Sequence, residues 1–192
     1  AKYFDRLIKN ITGSILLSKL ISCTQNCQEY RFVLEIMQSN KEYLKKSYFN
    51  RMLATLVNVC PLSMLAEIVY IVRNHIWVLM NDKFGNYVLQ IVVEREDREG
   101  TKLIKAACLK NGGLILTRKY PKFLIIKLVE METEYDFSTD MMDAVAAMDA
   151  SSIWQIISRR DSAMLLLLIM SKERPEQIPD TADLLLQTMK AF

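Results

Sequence analysis

Apolar residues along this chain recur with a period of 36. The clearest segment is Lys83-Phe84-Gly85-Asn86-Tyr87-Val88-Leu89-Gln90-Ile91-Val92-Val93-Glu94. One period upstream stands Ser47 to Asn58, two periods upstream Ile11 to Ser22, and one period downstream Lys119 to Glu130. No gap is needed to align the four copies. The columns headed by Leu16, Leu17, Leu20 and Ile21 are apolar in every copy, in a chain that is 51% apolar. Two further columns precede each copy: Leu7, Tyr43, Leu79 and Ile115, then Ile8, Leu44, Met80 and Leu116. Between copies, Phe32, Ile68 and Ile104 repeat, as do Ile36, Val72 and Cys108.

The spacing inside each copy is i, i+3, i+4, which puts the apolar residues on one helical face. Each unit therefore reads as a short apolar helix, a longer helix carrying the repeated segment, and a third helix. The long central helices are expected near 12–22, 48–58, 84–94 and 120–130. Pro61 and Pro121 stand where helices begin and Gly112-Gly113 where one stops. A unit of three short helices cannot bury its apolar faces alone and has to stack on its neighbours. The fold class predicted is all-α: a right-handed α-solenoid of about four three-helix repeats over 1–134. Residues 135–192 leave the register, turn acidic and read as a helical C-terminal cap, with a loop over Lys172 to Pro179. The predicted core includes Leu16, Leu20, Met52, Leu56, Val88, Val92, Leu124 and Leu128.

Composition agrees with helices, since only five Gly and four Pro are present. The longest apolar run, Ala163 to Met170, is far short of a membrane span, so no membrane partner is expected. No signal peptide is visible, and the start at Ala1 reads as processed or truncated. Cys23, Cys27, Cys60 and Cys108 suggest reduced thiols rather than a disulfide framework. Net charge is +3, but it is unevenly spread: residues 1–130 hold 20 Lys+Arg against 11 Asp+Glu, and residues 131–192 hold 5 against 11. The first two thirds suit a polyanion.

On a helical wheel at about 100° per residue, Lys83, Asn86, Tyr87, Gln90 and Glu94 share one polar stripe. Phe84, Val88, Ile91 and Val92 lie opposite. Two amides and an aromatic ring are the groups that hydrogen-bond and stack on a nucleobase. The string Phe84-Gly85-Asn86-Tyr87-Val88-Leu89-Gln90 resembles the signature of Pumilio (PUF) repeats, and the likeness covers roughly residues 5–130. It implies a solenoid whose central helices line an RNA-binding face, each reading about one base. In that family an Asn-Tyr-x-x-Gln set reads uracil, with Asn86 and Gln90 on the base edge and Tyr87 stacked beside it. The equivalent positions are Asn50-Arg51-x-x-Ala54, Ser14-Ile15-x-x-Ser18 and Lys122-Phe123-x-x-Ile126. They offer a stacking guanidinium at Arg51, small hydroxyls at Ser14 and Ser18, and a ring at Phe123. Lys119, Lys122 and Lys127 cluster at the last of these positions and suit phosphate, while Lys83 joins the RNA-binding stripe of its own helix.

Other chemistry is thin. Cys23 and Cys27, read as i, i+4 on one helix, have no second metal-ligand pair, and two buried thiols are expected instead. His75 is the only histidine, no phosphate loop or nucleophile motif occurs, and Trp77 and Trp154 read as core. Glu94-Arg95-Glu96-Asp97-Arg98-Glu99 reads as a solvated turn. No enzyme, metal or cofactor is expected. The resemblance implies a cytoplasmic regulator binding uridine-containing mRNA after transcription, together with protein co-regulators. The alternatives are a nucleolar ribosome-assembly factor gripping rRNA, and a solenoid scaffold for proteins.

Overall fold

A computed structural model describes residues 2–24, 26–95, 98–132, 136–172 and 178–191, without the side chains of residues 2, 4 and 5. Among the described residues every regular element is a helix. The chain divides into two compact units, 1–104 and 105–192, with the division inside one helix.

The first unit opens with α1 (Lys2–Ile8), α2 (Ile11–Ser22) and α3 (Cys27–Ser39). A 3-10 turn at Lys41–Lys45 precedes α4 (Ser47–Val59) and α5 (Leu62–Val72). A second 3-10 turn, Arg73–His75, runs into α6 (Ile76–Met80), followed by α7 (Lys83–Glu94) and α8 (Arg98–Lys110), in which the units divide. The order short, long, third is thus met three times. Polar caps start two of the three long helices: the Asn10 side chain accepts from Gly13 N at 2.7 Å, and that of Asp82 accepts from Phe84 N at 3.1 Å and Gly85 N at 2.8 Å, whereas α4 follows Lys46 without a side-chain cap. The stretch Leu62–Met80 is apolar enough to cross a membrane by length and composition (mean hydropathy 1.3), but the 3-10 turn interrupts it. Its Met64, Leu65, Ile68 and Val72 lie in the core.

In this unit α2 packs along α4, and α4 along α7. Met52, Leu56, Val88 and Val92 are buried as expected. Leu16 and Leu20, in the same two columns, are corrected: they are 50% and 52% exposed. The reason is position, for α4 lies between two long helices, whereas α2 has α4 on one flank only. Leu17 and Ile21 carry the buried face of α2 instead. Glycine matters at one recurring point. A Cβ on Gly85 would stand 2.6 Å from the carbonyl oxygen of Leu79, and one on Gly13 would strike Leu7. Leu7 and Leu79 occupy one column, so the same close approach of short element to long helix is built twice.

The second unit holds a 3-10 turn at Gly113–Thr117, α9 (Pro121–Glu130), α10 (Asp136–Ala146), α11 (Ala150–Ile157), α12 (Arg160–Met170) and α13 (Ile178–Ala191). Pro121 opens α9, and Gly112, at φ +56°, stands between α8 and the turn. Leu124 and Leu128 are buried, α12 packs along α9 and α10, and α11 packs on α12 and α13. The segment read as a cap therefore also ends in a short helix, a long one and a third. The expected boundary at 134/135 and most of the expected loop lie outside the described residues, and Pro179 falls within α13 rather than the loop.

Candidate RNA-binding surfaces

On the long helices of the first unit the three expected columns behave differently. Ile15 (37%), Arg51 and Tyr87 (49%) are exposed, one on each of α2, α4 and α7. The column before them is corrected. Ser14, Asn50 and Asn86 are buried at 0%, 0% and 2% exposure rather than facing solvent. Asn86 sits at one edge of the polar stripe, and that edge is covered by the short element that precedes the helix.

The buried amides have backbone partners. Asn86 Nδ2 donates to Met80 O at 3.1 Å, and Asn50 Nδ2 donates to Leu44 O at 3.0 Å. Leu44 and Met80 are one period apart, so a single device recurs: an asparagine closes the last turn of the short element. Ser14, too short for that span, donates instead to Ile11 O at 2.8 Å. In the third column, Gln90 is half-buried and its Nε2 donates to Asn86 Oδ1 at 2.6 Å. Its Oε1 has no partner among the described residues. Ala54 is buried, and Ser18 donates to Ser14 O at 2.8 Å. Gln90 is thus the planar hydrogen-bonding group held at the surface of this unit's third column.

Asp82 was not singled out in the sequence. Besides capping α7, its carboxylate accepts from Asn50 Nδ2 at 3.0 Å and from the Ser47 hydroxyl. It therefore fixes the start of α7 against the start of α4, and with it the offset between Tyr87 and Arg51. An aspartate directly before the first helical residue was the available signal. Phe84, expected on the core side, is half-buried, with Arg51 at 5.9 Å and Lys83 at 5.7 Å from its ring centre. Arg51, Phe84, Ile15 and Tyr48 line a small cavity of about 230 Å³. Lys83 itself is exposed.

In the second unit Phe123 is 48% exposed and Lys119 is exposed. Lys122 is not free, because its Nζ meets Asp161 Oδ2 at 2.5 Å. The hydrogen bond and charge of Lys122 hold the Asp161 carboxyl below its ordinary range, with a smaller contribution from Arg160.

The remaining expectations are corrected in part. Cys23 and Cys27 are exposed, one following α2 and the other opening α3, so they neither share a helix nor lie buried. Cys60 and Cys108 are buried; burial raises both thiols, that of Cys108 to about 12, while Arg95 partly offsets the rise at Cys60. Trp77 and Trp154 are 40% and 36% exposed rather than core. Arg95 is no solvated turn residue, since its Nη1 donates to Val57 O at 2.6 Å. Residues 96 and 97 of that stretch lie outside the described residues. No metal-binding cluster occurs among the described residues.

No family model matches the sequence, and no curated protein matches it. Solved structures do. The RNA-binding domain of yeast Puf5p bound to MFA2 RNA superposes with a TM-score of 0.80 at 12% identity, over 97% of this chain and 52% of that one. PUF-8 in complex with PBE-RNA gives 0.73 at 17% identity, covering 97% and 54%. The Puf4 RNA-binding domain bound to the HO endonuclease RNA 3' UTR recognition sequence gives 0.71 at 15%, covering 97% and 55%. The chain spans about half the length of these structures, and its fold is that of the PUF repeat solenoid.

Proposed function

We propose that the chain binds single-stranded RNA through the exposed side chains of its long helices and takes a uridine at α7. The observation that carries this reading is the pairing of an exposed ring, Tyr87, with an amide, Gln90, on the next turn of the same face. The buried Asn86 holds that amide at 2.6 Å. The free Oε1 of Gln90 suits the N3–H of uracil, and the Tyr87 ring suits a base face. Asn86 positions the reader and does not touch the base, which changes the role implied by the family resemblance. Arg51 offers a second stacking plane on α4. Ser18 and Ala54 offer no planar amide, so this unit discriminates at one base and grips its neighbours by stacking and charge.

Titration of short RNAs differing at one base tests the reading. Tyr87→Ala should weaken every sequence by about 1–3 kcal/mol, because stacking ignores base identity. Gln90→Ala should abolish the preference for uridine at one position, at a cost in stability of about 1 kcal/mol for the hydrogen bond lost to Asn86. Wild-type protein that binds RNA with no base preference would favour the rRNA-assembly alternative, and protein that binds no RNA would favour a scaffold for proteins. The regulatory role on mRNA in the cytoplasm, with protein co-regulators, is part of the same proposal. Recovery of uridine-containing 3' elements in RNA sequenced from the purified protein is the result it expects.

A further inference from the structure

The second unit carries 11 Lys+Arg and 12 Asp+Glu, so it has no overall attraction for a polyanion. Its charges are nevertheless sorted. A cleft of about 320 Å³ opens where α9 and α12 begin, and its lining includes Arg118, Lys119, Lys122, Arg159 and Arg160 against a single carboxylate, Asp161. Arg118, Lys119, Arg159 and Arg160 are exposed and make no ion pair among the described residues. Arg159 reaches only the carbonyl of Thr117, at 3.4 Å. Gathering like charges in one concavity costs repulsion that a scattered surface avoids, and a one-signed cleft concentrates counter-ions. The two helices that start here lack side-chain caps, so the positive ends of their dipoles add to the field.

We propose that this cleft binds phosphodiester groups of single-stranded RNA, holding the backbone beside the exposed Phe123 ring. The inference rests on the RNA-binding reading and adds Arg118, Arg159 and Arg160 to the lysines already singled out. Three of the five cations are arginines, whose planar fork matches two phosphate oxygens at once. Asp161 acts against the ligand. It occupies Lys122 at 2.5 Å and places a negative charge where a phosphate would lie. The site therefore contains an internal competitor, and removing it should strengthen binding.

The test compares wild type, R159E/R160E and D161N on a uridine-rich 12-mer over a salt series, with melting temperature as the control for folding. R159E/R160E should lose on the order of tenfold in affinity at low salt and flatten the log–log slope by about 0.7 for each phosphate released. D161N should gain affinity several-fold and steepen the slope. Base preference at the Gln90 position should be the same in all three. If R159E/R160E melts early, R118E/K119E on the other wall must give the same loss. Wild-type binding with base preference, but with affinities and slopes unmoved by these variants, overturns the cleft and leaves the reader helix standing. Absence of RNA binding in the wild type overturns both. An acidic peptide of equal charge that binds as tightly as RNA overturns the assignment to phosphate.

Discussion

The two units use one helical order for different chemistry. In the first, the surface groups are spread over three long helices, with Ile15, Arg51 and Tyr87 in one exposed column and Gln90 beside them. In the second, the exposed Phe123 ring stands next to a cleft in which five cations are gathered. The first unit has 14 Lys+Arg to 10 Asp+Glu, yet its distinctive feature is an oriented amide; the second is nearly neutral, yet its distinctive feature is charge. The difference teaches that net charge does not report how charges are gathered on the surface. Stacking fixes which columns are buried, and the residues left over in the exposed columns are free to differ.

The sharpest break of this comparison is within one column. Val88 is fully buried, so Val88→Asp should destabilise by several kcal/mol, on the order of 4, because it places an unpaired charge between packed helices. Leu16→Asp, at the same column of the first copy but half exposed, should cost about 0.5 kcal/mol or less. Urea denaturation of both variants measures the contrast. Equal losses would mean that Leu16 is covered in solution.

A second variant separates positioning from reading. Asn86→Ala removes the donor to Met80 O and the acceptor for Gln90, and should cost about 1–3 kcal/mol of stability. Gln90→Ala should cost less, about 1 kcal/mol, because it removes one of those two hydrogen bonds and leaves the other in place. An Asn86→Ala protein of normal stability would return Asn86 to the role of base reader. For the second unit, Phe123→Ala should reduce RNA affinity by about 1–3 kcal/mol without altering the preference for uridine. A change of preference there would show that both units discriminate.

The smallest expected effect is on pH. Burial, helped by Lys41 and Lys45, holds His75 below its ordinary value of 6.5, so the folded state disfavours its protonated form. The unfolded chain then binds more protons, and stability falls as pH drops through 6.5 toward the lower folded value, levelling below it. Above that window nothing changes. His75→Gln should remove this part of the pH dependence in denaturation curves between pH 7 and 5. In the second unit the depressed Asp161 carboxyl works at lower pH: its contribution is present above about 4 and lost as pH falls through its folded value. Asp161→Asn should abolish that loss and leave the His75 slope intact.

Up to Glu130 the period of 36 by itself determined the helices, their order and most of the core, because a stacked repeat must bury the same columns in each copy. It also identified Tyr87, Arg51 and Phe123 as surface groups, since their angle on the helix lies far from the apolar face. What it could not determine was anything at an edge or across a long interval. Asn50 and Asn86 lie at the margin of the polar stripe, where a wheel gives a direction but not the neighbour that covers it. Only packing shows that the short elements end there, with the carbonyls of Leu44 and Met80 needing a donor. Leu16 and Leu20 look like core because their columns are core elsewhere, and only the stacking shows α2 with one long-helix neighbour. Asp82 meets Asn50, and Asp161 meets Lys122, across 32 and 39 residues. Local pattern carries no information over such intervals; the tertiary structure alone brought those side chains together.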